Sequence, residues 1–205
     1  MKKLIISPHV DDDILGCGGI LDSDSLVVYC GIDDFHVISR EERIIEAEKA
    51  SNLLGHKFKI LHGNKVNNYK CVDLIDQFSK EINKYKPEQV YIPYPSYNQD
   101  HQEVYKASLI SLRPHDVNHF VKEILVYEQP HVYLWNHSHD INDKFKPNCY
   151  MPIDVEKKVK AYECMKSQVR KFRSCKQIRA LATLRGAQCN KEFAESFMII
   201  RTVRD

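Results

Sequence analysis

Near its N-terminus the chain reads Ser7-Pro8-His9-Val10-Asp11-Asp12-Asp13, three consecutive carboxylates beside an imidazole, directly after the apolar run Leu4-Ile5-Ile6. Carboxylates held that close at the exit of a buried strand repel one another and lose hydration unless a positive group binds among them. The stretch therefore reads as half of a metal site. Asp12 or Asp13 could merely cap the following helix, a gain of roughly 0.3–1 kcal/mol, but one acid suffices for that. A second cluster, Tyr94-Pro95-Ser96-Tyr97-Asn98-Gln99-Asp100-His101, follows another strand-like run and has the composition of a site rather than of a tight turn. His9 and Asp12, three apart at a strand-to-helix turn, can point the same way, and His101 adds a second imidazole. Two imidazoles and one carboxylate leave a position open for water, as catalytic zinc sites do, whereas structural zinc is closed by a fourth ligand, usually cysteine. The same donors suit iron, cobalt or manganese, so Zn2+ is favoured among several divalent ions.

These residues need elements that bring them together. Strand signals are expected at residues 4–7, 25–30, 58–61, 89–93, 123–127 and 197–203. Helical periodicity covers 14–21, 40–54, 72–85, about 102–112, 154–168 and 176–185. Gly55 stands where a helix C-cap belongs. Alternation of this kind is the pattern of an α/β chain built on a mostly parallel, Rossmann-like sheet flanked by helices. In such a sheet ligands bind outside the carboxyl ends of the strands, which would bring the His9 and His101 clusters to one edge. Residues 129–148, rich in His, Asn, Asp and Pro, read as a long functional loop in which His131, His137 and His139 could line a site. Asp33 and Asp34 fall in the loop after the second strand. Gly16, Gly18 and Gly19 suggest close helix packing, since the chain has no phosphate-binding glycine motif.

Composition narrows the function further. The chain has 205 residues, 43% hydrophobic and 28% charged, enough for one substantial core, so a single domain over residues 1–205 is expected. The 30 basic and 28 acidic residues give a net charge of +2 and no electrostatic footprint for nucleic acid. The basic run at 166–176 reads as a solvated helix face. No segment approaches the roughly 20 apolar residues of a membrane span, and the first apolar run is too short for a signal peptide. Seven scattered cysteines without a CxxC pair exclude a zinc finger and point to a reduced, cytoplasmic setting. A homo-oligomer is compatible with all of this. His36, His56, His62, His115 and His119 lack an acidic motif and carry no site expectation.

Pro8-His9-Val10-Asp11-Asp12-Asp13 with Leu15-Gly16-Cys17-Gly18-Gly19, and the later Gln99-Asp100-His101, resemble the LmbE-like, or PIG-L, family of metal-dependent N-deacetylases. The similarity extends through Arg43-Ile44-Ile45-Glu46-Ala47, Leu54-Gly55, Phe145-Lys146-Pro147-Asn148, Lys158, Ser167-Gln168 and Phe193-Ala194-Glu195-Ser196-Phe197. The resemblance implies hydrolysis of the acetamido group of an N-acetylated sugar or glycoconjugate, commonly N-acetylglucosamine. It matches His9, Asp12 and His101 to the metal ligands and Asp11 to the general base. Asp100 matches an acid that orients the second-motif histidine, and Arg43 a residue facing the substrate. Val10 replaces a proline. Asp13 replaces a glutamate, as a supporting or pocket carboxylate. Asn98 stands in place of a histidine, so Asn98 or Tyr97 becomes the neutral donor for the oxyanion. Two other readings are a degenerate member that binds metal or sugar without turnover, and a haloacid-dehalogenase-like phosphatase using Asp11-Asp12-Asp13.

Overall fold

The computed structural model describes residues 2–32, 38–115, 118–130 and 145–204. In chain order its elements are β1 (Lys3–Ser7), α1 (Asp12–Cys17), β2 (Ser25–Tyr29), α2 (Arg40–Leu54), β3 (Lys57–Ile60), α3 (Cys71–Tyr85), β4 (Gln89–Pro93), α4 (Gln99–Ser111), β5 (Glu123–Tyr127), β6 (Cys149–Pro152), α5 (Val155–Cys164), α6 (Cys175–Ala187) and β7 (Ala194–Thr202). Among these residues the strands form one sheet in the order β3-β2-β1-β4-β5-β7-β6. The first five are parallel, while β7 runs antiparallel to both β5 and β6. The sheet is therefore mixed, with a parallel body and an antiparallel margin.

Strand periodicity explains the two cores. Leu4 and Ile6 of β1 join Val28, Val90 and Ile92 under α3 and α4, while Ile5 joins Val27, Tyr91 and Leu125 on the opposite face. Buried on both sides, the central strands read as continuous apolar runs. Helix ends follow local chemistry. Ser39 and Glu42 close a reciprocal capping box at the start of α2, and Gly55 ends it in the left-handed conformation at φ 88°. The sheet order changes direction between β1 and β4, because β1 leads by way of α1 to β2 on one side while β4 lies on the other. That switch point is where a crevice opens at the carboxyl edge of such sheets.

Several expected boundaries move. Strand β6 was not anticipated: three half-buried residues followed by an exposed Pro152 give no alternating apolar signal, and proline is tolerated there because β6 is an edge. Helix α1 stops at Cys17 rather than at residue 21, where a Cβ on Gly19 would overlap Ile153. Helix α5 stops at Cys164 rather than at 168, because the Tyr162 hydroxyl draws back the carbonyls of Gln168 and Arg173. The basic run at 166–176 is thus mostly the α5–α6 loop rather than a helix face. Asp33, Asp34, His36, His131, His137 and His139 lie outside the described residues.

Candidate metal centre and its pocket

The turn after β1 is tied down by its own side chains. Ser7 Oγ donates to the carbonyl of His9 at 2.8 Å, and the buried Tyr69 hydroxyl donates to the carbonyl of Pro8 at 2.9 Å. Asp11 flanks the first residue of α1 in extended backbone, and Asp12 and Asp13 occupy its first turn. In the loop after the neighbouring strand β4, Asn98 caps α4: its Oδ1 accepts from the amides of Asp100 at 2.8 Å and His101 at 3.4 Å. The cap starts the helix at Gln99, three residues before the periodicity suggested, and so places Asp100 and His101 in its first turn.

The two clusters meet. His9 Nδ1 lies 3.1 Å from Asp12 Oδ2, His101 Nε2 lies 3.1 Å from the same oxygen, and the two nitrogens are 3.3 Å apart. Donors about 2.0–2.1 Å from a tetrahedral ion stand roughly 3.4 Å from one another, so this triangle fits a zinc-sized cation. The other nitrogen of His9 faces the Asp100 carboxylate at 3.0 Å. With the imidazole neutral, that contact would turn the Nδ1 lone pair toward the triangle, as carboxylates behind ligating histidines do. The resemblance set Asp100 beside the second-motif histidine; its carboxylate meets the first-motif one.

The carboxylates of the cluster favour positive charge beside them. Burial alone would lower the His9 imidazole, yet the bonds to Asp100 and Asp12 outweigh it and raise the group to about 10. Burial likewise opposes ionisation of Asp12, but His101 and His9 hold its carboxyl well below the ordinary carboxylate range. Asp100 also faces a burial penalty, which the bond from His9 and the amides of Asn67 and Tyr69 overcome, so its pKa is lowered. The cluster thus favours a positive charge among its carboxylates, whether a proton or a cation supplies it.

The triangle forms one wall of a pocket of about 320 Å³ lined also by Asp11, Arg43, Val66, Asn67, Asn98, Gln168 and Arg173. Asp11 is buried, and its Oδ2 lies 2.9 Å from Arg173 Nη2. Burial pushes the Asp11 carboxyl up, and Arg173 is the leading group opposing it. Gln168, with its amide turned to satisfy its neighbours, accepts from the Arg43 guanidinium at 2.9 Å. Of the remaining expected residues, Asp13 points into the interior, where Tyr29 donates to its Oδ2 at 3.0 Å, and it does not line the pocket. Tyr97 is 42% exposed and does not line it either. Arg173 was missed because it sits within a basic run that reads as surface.

No protein-family model and no curated protein sequence matches the chain. Solved structures do. GalB, the 4-carboxy-2-hydroxymuconate hydratase from Pseudomonas putida KT2440, superposes with a TM-score of 0.78 at 17% identity, covering 100% of this chain and 99% of its own. The N,N'-diacetylchitobiose deacetylase of Pyrococcus horikoshii gives 0.75 at 21% identity, over 98% of this chain and 84% of that one. The zinc-inhibited form of the teicoplanin deacetylase Orf2 gives 0.73 at 15% identity over the whole of both chains. The chain has the fold of these deacetylases. Identities this low carry the fold alone, and the hydratase shows that the fold serves more than one reaction.

Proposed function

We propose that this chain is a metal-dependent N-deacetylase of the LmbE-like, PIG-L type, a single domain over residues 1–205 that removes the acetyl group from an N-acetylated amino sugar or its conjugate in the cytoplasm. The observation that carries the reading is the His9–Asp12–His101 triangle opening on a polar pocket with a buried carboxylate, Asp11, beside it. Zn2+ fits the donor set, and a bound divalent ion would polarise the acetamide carbonyl and lower the pKa of a water toward about 7. Asp11 takes the water's proton and returns it to the departing amine. Asn98, its Oδ1 turned to the helix amides, offers Nδ2 as donor to the oxygen that becomes negative. Arg43, Gln168 and Asn67 supply hydrogen bonds to a hydroxylated substrate, and only Val66 among the lining residues is aliphatic. A phosphatase would use Asp11 and Asp13 together, and these two diverge. No helix among the described residues is long and apolar enough to cross a membrane, and none of the seven cysteines is paired.

The test is acetate release from a panel of N-acetylglucosamine conjugates by the zinc-loaded protein. Asp11→Asn is expected to cut turnover by about 100- to 10,000-fold while zinc stays bound at one equivalent. Full activity in that variant sinks the assignment of the base; stoichiometric zinc without acetate from any substrate favours the degenerate reading. The match to GalB supports one second reading, hydration of an unsaturated carboxylate between the two pocket guanidiniums. Loss of an alkene absorbance without acetate release would select it.

A further inference from the structure

Arg173 has no role in the deacetylase reading, although its guanidinium meets the Asp11 carboxylate. A buried carboxylate that must receive a proton at one place in a pocket needs its rotamer held, because misplacement by about an ångström can cost a hundredfold in rate. We propose that Arg173 is the positioning residue of Asp11 and that the α5–α6 loop is built to hold it; the proposal rests on the deacetylase reading.

The loop shows the construction expected of such a support. Arg173 Nη2 reaches the Gln168 carbonyl at 3.2 Å as well as Asp11 at 2.9 Å, so the guanidinium is fixed from two sides. Tyr162, buried at the end of α5, shares its hydroxyl between the carbonyls of Gln168 at 2.8 Å and Arg173 at 3.0 Å. The amide of Arg173 donates to the carbonyl of Arg170 at 3.0 Å, closing the turn. At the start of the loop, Glu46 of α2 accepts from the amide of Ser167 at 2.9 Å and from its hydroxyl at 2.5 Å. Two helices and a buried tyrosine thus converge on one arginine, while its basic neighbours Arg170 and Lys171 are exposed. A planar guanidinium with a fixed fork orients a carboxylate in a way that a lysine ammonium does not.

Steady-state kinetics of the zinc-loaded Arg173→Ala and Arg173→Lys proteins, with crystal structures of each, test this. In Arg173→Ala, kcat should fall about 10- to 100-fold with KM unchanged, millimolar guanidinium should restore part of kcat, and the Asp11 carboxylate should be displaced. Arg173→Lys should recover only part of kcat, and it keeps the test open if the alanine variant does not fold. A rise in KM at constant kcat would make Arg173 a substrate contact and overturn the proposal. So would an Asp11 that stays in place with no guanidinium rescue. If the unaltered protein releases no acetate, the deacetylase reading fails by itself, and the position of Asp11 in the variant crystals still decides what Arg173 does.

Discussion

Asp11, Asp12 and Asp13 are consecutive and chemically identical, yet the fold gives them three environments: Arg173 beside the first, two imidazoles on the second, and Tyr29 against the third. Burial pushes Asp13 up to about 8, so it is mostly protonated near neutral pH. Across from it lies His56, with no hydrogen bond at either ring nitrogen and its Nε2 3.8 Å from Asp13. Burial lowers His56 to about 4. A folded-state pKa below the unfolded value of about 6.5 means that its contribution to stability is intact above that pH and is lost as pH falls toward 4, by roughly 3 kcal/mol in all. Asp13 acts in the opposite sense, its contribution being present at low pH and lost as pH rises through about 8. The prediction is therefore comparative. Thermal melts between about pH 7 and pH 4.5 should show a smaller loss for His56→Leu than for the unaltered protein, and equal losses would show that His56 is not held neutral. Nothing in its neighbours along the chain, Gly55 and Lys57, marked His56 as buried beside an acid; only packing brings the two together.

At the scale of elements, Asn98 links the site to the helix that carries half of it. Its side chain satisfies two of the amides that the first turn of α4 cannot pair internally, and those amides belong to Asp100 and His101. Asn98→Ala should cost about 0.5–2 kcal/mol in stability, as lost caps do, and weaken zinc binding as well, because the fray begins beside the proposed ligand His101. Asn98→Asp keeps an acceptor at the cap and should hold both stability and zinc affinity near the original. Urea melts and zinc titration of the two variants separate the cap from any part in the reaction: equal zinc affinity in Asn98→Ala would show that the ligands do not depend on it. The strand-to-helix alternation and the Gly55 cap were legible because each is local. The start of α4 was not, since Asn98 can serve as a pocket donor or a cap, and the choice depends on where the chain enters the helix.

For the whole molecule, the consequential feature is the adjacency of β1 and β4, strands more than eighty residues apart in sequence. It sets His9 against His101, so an ion bound between them bridges the two halves of the sheet. An ion that binds the folded chain but not the unfolded one stabilises it by about 2.7 kcal/mol at a hundred times its Kd. Zinc should therefore raise the melting temperature of the unaltered protein and leave that of His101→Ala unchanged. An equal rise in both would place the binding elsewhere.

The residue types, the spacing of His9 and Asp12, the turn-rich stretch before His101 and most strand and helix positions are written locally, in periodicity and in side-chain chemistry, and the sequence alone sufficed to place both clusters at one edge of a sheet. What depended on tertiary structure was contact between distant segments: Asp100 behind His9, Arg173 against Asp11, Asp13 turned inward to Tyr29 and His56, and the edge strand β6. A side chain's neighbours across the sheet are set by strand order and loop closure. These belong to the folded chain as a whole and leave no mark on the residues nearby.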